Sequence, residues 1–172
     1  MMIEIEKIMH DLKSAIESWH SNDLGCFDEK KYDETNLSEI VQKLAYHNYY
    51  CWHLLENYEL DTQENVNFVW ESGVYHNKSR NTCMQNIDQT YVDIQNENSD
   101  YNSEGMGSLF DKFTNDFIKY LHLVSLNDER AESFKKQVDF HQTCIQGISY
   151  KICAGEKRII VFQKFKISYR NF

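Results

Sequence analysis

The chain has 172 residues and a formal net charge of −9, an acidic balance that argues against general nucleic-acid binding. Its 41% hydrophobic and 14% aromatic content exclude disorder and are enough for the core of a single domain spanning residues 1–172. No apolar run reaches the ~20 residues of a membrane span, and the amphipathic start Met1–Lys7 does not read as a signal peptide. Five cysteines without a Cys-x-x-Cys pair read as reduced thiols, so a cytoplasmic protein is expected.

Proline is absent, which removes the strongest helix breaker, and the apolar spacing is helical. Ile5, Ile8, Met9, Leu12, Ile16 and Trp19 recur at three- and four-residue steps and predict a helix over 3–20. A polar loop, 21–36, follows. Asn36 and Glu39 resemble a capping box for a second helix over 37–58. Asp61 with Glu64 repeats the signal, and Val66, Val69, Trp70, Val74, Met84, Ile87 and Tyr91 carry a long central helix over 62–96. Asn, Ser and Gly dominate 98–107, which predicts an irregular break. Leu109, Phe110, Phe113 and Phe117 start a helix over 108–126, and a fifth follows over 128–153. The basic tail 156–172 alternates apolar and polar residues and is expected to be extended. The fold class is all-α, a helical bundle of about five helices with a short extended C-terminal tail.

Polar residues interrupt the helical faces in two places. Asn48 and Glu56 stack at four-residue steps on the second helix, with His53 beside them. Asn77, Arg80, Asn81 and Asp88 form a stripe on the third. Helices joined by a short turn pack antiparallel, so these stripes are expected to share a seam. The second place is the helix start near Ser108, where small residues leave amide N–H groups open to an anion. Asp111 and Lys112 lie in its first turn, and Lys119 and His122 project further along. Ser108 or Asn102 is alternatively an ordinary cap.

Taken in order, these pieces resemble the bacterial domain-of-unknown-function family 4254 over most of the chain. The family's Asn-x-x-x-Trp-His-x-x-acid signature is similar to Asn48, Trp52, His53 and Glu56. Its Asn-x-x-Arg-Asn and Ile-Asp pieces resemble Asn77, Arg80, Asn81, Ile87 and Asp88. Its later series resembles Asn102, Glu104, Gly107, Ser108, Asp111, Lys112, Lys119 and His122, and its ending resembles Ala154, Gly155, Lys157 and Arg158. Thr82 and Gln85 stand where the family has Asp and Glu. The resemblance implies a bacterial source and a link to surface-polysaccharide metabolism, and it brings no activity.

Three functional readings follow. In the first, Arg80, Lys112, Lys119 and the Ser108 helix start hold an anionic sugar, nucleotide or phosphate compound. Asn48, Asn77, Asn81 and Asp111 complete that site, and His53 or His122 moves protons with Glu56 or Asp88. In the second, Glu56-x-x-Glu59 and Gln85-x-x-Asp88 resemble the paired acidic motifs of an all-helical, Mg²⁺-dependent nucleotide pyrophosphatase, although Gln85 removes one ligand. In the third, the chain is a non-catalytic scaffold that docks through its basic tail.

Overall fold

The computed structural model describes residues 5–21, 36–57 and 60–159, with the backbone alone at Ser21 and at 55–57. Most of the expected polar loop, the tail from 160 onward, Glu59 and the side chain of Glu56 lie outside the described residues. Within them the chain is all-α. Five helices, α1 (Ile5–Ser21), α2 (Leu37–Asn57), α3 (Gln63–Val92), α4 (Met106–Ser125) and α5 (Ala131–Cys153), surround one apolar core. Two short strands, β1 (Asp100–Tyr101) and β2 (Lys157–Arg158), pair in parallel and tie the α3–α4 connection to the end of α5. No described helix is long and apolar enough to cross a membrane.

The core forms where the sequence pattern is cleanest. Leu12 and Ile16 of α1, Val41 and Leu44 of α2, Phe110 and Phe113 of α4, and Ile145 and Ile152 of α5 are fully buried. Helix α3 contributes less than its apolar content suggests. Ile87 and Tyr91 are buried in its C-terminal half, whereas Val66, Trp70 and Val74 are exposed. The packed face of α3 instead carries His76, Cys83, Ile87 and Tyr91.

Local chemistry explains the boundaries. Asn36 accepts the Ser38 amide at 2.9 Å and begins α2. Thr62, rather than Asp61, caps α3 by accepting the Asn65 amide at 3.1 Å. Helix α4 ends on Asn127 at φ 51, with Asn127 N bonded to Val124 O and Asp128 N to Leu123 O. Helix α5 repeats this end on Gly155 at φ 73, where Gly155 N reaches Ile152 O and Glu156 N reaches Lys151 O. Both are Schellman ends, and their left-handed residue is Asn or Gly because those types adopt that conformation at least cost. The expected 98–107 break is irregular apart from β1 only as far as Gly105, because α4 starts at Met106, two residues before the expected Ser108.

Candidate functional site

Helices α2, α3 and α4 meet along a polar seam. Asn48, 1% exposed, donates through Nδ2 to Asp111 Oδ1 at 3.0 Å and to Thr114 Oγ1 at 2.6 Å. Arg80 reaches the same carboxylate from α3, with Nε 3.3 Å from Asp111 Oδ1. That contact is an ion pair without hydrogen-bond alignment, and Arg80 makes no hydrogen bond among the described residues. Asn48 Oδ1 is likewise buried without a partner there. An amide oxygen beside Asp111 would face another acceptor, so the carboxylate fixes the amide with its nitrogen inward. Cys51 lies beside this group. Burial raises its thiol, Arg80 draws it the other way, and Asp111 adds to the rise.

The helix start expected to hold an external anion is already occupied from within. Asp88 Oδ1 accepts the Gly107 amide at 2.8 Å, so a carboxylate of α3 caps α4. Gly105 precedes the helix and offers no side chain. Neither Ser108 nor Asn102 serves as the cap. Ser108 donates to Glu104 Oε1 at 2.6 Å, and Asn102 donates to the Glu104 carbonyl at 2.6 Å. Lys112 also bonds Glu104 Oε1, at 2.5 Å. Burial alone would raise the Glu104 carboxyl, but the Lys112 and Ser108 bonds outweigh it and hold the group below its ordinary value.

His53 turns away from the Arg80 stripe. Its ring packs on Tyr49 at 4.3 Å, His20 of α1 at 5.5 Å and His122 of α4 at 6.1 Å, measured between centroids. His122 also meets Trp52 at 6.3 Å. Lys119 lies 5.7 Å from the Trp52 ring centre and 5.6 Å from that of Phe134, with Asp116 3.9 Å away. Eight residues separate Asp111 from Lys119, about 12 Å along α4. The expected residues therefore divide into three groups, Asp88–Ser108–Lys112 at the start of α4, Asn48–Arg80–Asp111 beside it, and His53–Lys119–His122 around Trp52. Asn77 is exposed and Asn81 half-buried.

Three polar features escape a reading of the sequence. Thr114 shares the Asn48 amide, and its spacing three residues after Asp111 is the only signal for it. His141 of α5 bonds Asp116 Oδ2 through Nε2 at 3.1 Å, a cross-helix pair that periodicity cannot announce. His47 and His76, both buried, approach Nδ1 to Nδ1 at 2.9 Å, and His76 stacks on Tyr50 at 3.8 Å. One of those two nitrogens must donate and the other accept. Among the described residues no three His, Cys, Asp or Glu side chains are grouped to hold a metal ion. An open depression of about 370 Å³ lies elsewhere, between Lys7, Ile8 and Asp11 of α1 and Leu37, Ser38 and Gln42 of α2, and includes none of the candidate residues. No family model, curated protein or solved structure matches the chain.

Proposed function

We propose that the polar strip along α4 binds a small anionic ligand, a sugar, nucleotide or phosphate compound, with Arg80 as its main contact. The state of that side chain carries the reading. Its guanidinium has five donors, is 29% exposed at the seam, and spends none of them in a hydrogen bond among the described residues. A planar fork with unspent donors suits a carboxylate or phosphoryl group. Lys119, 3.9 Å from its own acid, would add charge, and Lys112 would join by releasing Glu104. The link to surface-polysaccharide metabolism rests on the resemblance to family 4254 and belongs to this proposal. The test is thermal denaturation with inorganic phosphate, glucose 6-phosphate and uridine monophosphate. At least one should raise the melting temperature saturably, and Arg80→Ala should abolish that rise. No rise in the wild-type chain with any of the three at millimolar concentration would overturn the proposal.

A non-catalytic scaffold is supported by a different observation. Arg80, Lys112 and Lys119 each face one acid, Asp111, Glu104 and Asp116, so the strip is neutral within itself. Such a strip fixes helix register without a ligand, and it gives no thermal shift in the same experiment. The nucleotide pyrophosphatase alternative would require Asp88 to leave the start of α4 before it could hold a metal.

A further inference from the structure

Exposed apolar side chains are concentrated on one part of the molecule. Leu60, Val66, Phe68, Trp70, Val74 and Tyr75 are all exposed, within the turn before α3 and the first half of that helix. Val66, Trp70 and Val74 recur at four-residue steps, so each valine lies about 40° to one side of Trp70 and the three span about 80° as a single stripe. Their exposures are 39%, 72% and 52%. An indole left this open on a helix face, flanked by valines a turn away on each side, marks an interaction surface.

We propose that this stripe is a homodimer interface, in which α3 of two copies pair antiparallel about a twofold axis at Trp70. The pattern matches itself. A twofold contact requires that residue i meet residue j and j meet i. Centring the axis on Trp70 sets Val66 of each copy against Val74 of the other and leaves polar Gln63 and Asn77 at the two ends. The charges agree with the same register. Glu64 and Lys78 lie on one flank of the stripe, and antiparallel pairing brings each to within about two residues of the other in the second copy. Glu71 alone is unfavourably placed, since it meets its own counterpart near the axis. A contact made by one helix pair is small beside the roughly 1,000 Å² or more that a stable specific interface buries, so the dimer is weak and concentration-dependent.

Sedimentation of the full chain over a concentration series up to about 100 µM tests this. The wild-type chain should show a monomer–dimer equilibrium. Trp70→Glu should weaken it by roughly thirtyfold or more, as loss of an interface anchor does, with the helical circular dichroism unchanged. Should Trp70→Glu fail to fold, Val74→Lys must give the weakening in its place. Glu71→Gln should tighten the dimer by roughly threefold, the effect of relieving an exposed like-charge contact. Phe140→Ser, on the equally exposed outer face of α5, should leave the equilibrium unmoved. A wild-type chain that stays monomeric throughout overturns the proposal, and so would a stripe used only by a different protein. A dimer indifferent to Trp70→Glu and Val74→Lys, one lost in Phe140→Ser, or one not tightened by Glu71→Gln does the same.

Discussion

Arg80 holds its Nε 3.3 Å from Asp111 Oδ1 yet makes no hydrogen bond to it. The two partners therefore matter unequally. Asp111 also accepts from the buried Asn48 amide, whereas Arg80 contributes only a partly exposed charge. Arg80→Ala should cost about 1 kcal/mol or less, in the range of exposed ion pairs. Asp111→Ala should cost about 1–3 kcal/mol, because it strands an Asn48 hydrogen inside the seam. Urea denaturation of both variants checks the order. A larger loss for Arg80→Ala would mean that its guanidinium is already engaged as a structural donor, which removes the basis of the ligand reading.

At the start of α4, the surroundings shift the Asp88 and Glu104 carboxyls in opposite directions. Burial raises the Asp88 carboxyl, and the Gly107 and Met106 amides only partly offset it. A folded value above the unfolded one means that the native chain keeps this proton longer. Its contribution is complete below the unfolded value and is lost as pH rises through the raised folded value. Glu104 is depressed instead: burial pushes it up, and the bonds from Lys112 and Ser108 more than reverse that. Its contribution is present above the ordinary carboxylate value and is lost as pH falls through the lowered one. Asp88→Asn, which keeps an acceptor for the Gly107 amide, should therefore flatten the decline in stability just above the ordinary carboxylate range. Glu104→Gln should flatten the loss on the acid side. Urea midpoints across that pH range measure both slopes, and profiles identical to wild type would refute the assignments.

How much of this was legible depended on whether the information lies along one helix or between two. The repeats of Leu12 and Ile16, and of Phe110, Phe113 and Phe117, describe one face each, so helices α1 and α4 and their buried sides were readable. In α3 the same repeat marked the helix and not its covered face. Val66, Trp70 and Val74 have helical spacing and are exposed, because periodicity says which residues share a face and not whether anything covers it. The candidate site divides the same way. Asn48, Arg80 and Asp111 were each identifiable as polar residues and expected around one site, but not that the Asp111 carboxylate itself meets both of the others, nor that Asp88 caps a different helix. His47 with His76, and Asp116 with His141, are contacts between helices that a single sequence leaves unpaired.

The α3–α4 crossing rests on the absence of one methyl group. A Cβ placed on Gly107 would lie 2.2 Å from the Met84 carbonyl oxygen and 2.7 Å from its Cα. Both are backbone atoms, which no rotamer change can clear. Gly107→Ala must therefore push the two helices apart, and it draws Asp88 away from the amide it caps. Overpacking of this kind costs about 1–3 kcal/mol, and a lost cap adds about 1 kcal/mol. At Gly105 the conflict is milder, since its Cβ would meet the Asp88 carboxylate oxygens, at 2.7 and 2.8 Å, and that side chain can turn. Gly147 supplies the opposite control. It lies exposed within α5, and a Cβ there meets nothing within 4 Å. Gly147→Ala should stabilise the chain by about 0.5–1 kcal/mol, because alanine loses less conformational freedom than glycine on entering a helix. Thermal unfolding should accordingly order the chains as Gly147→Ala above wild type, Gly105→Ala below it and Gly107→Ala lowest. A Gly107→Ala chain as stable as wild type would show that α3 and α4 do not cross at this closeness, and the seam built on that crossing would fall with it.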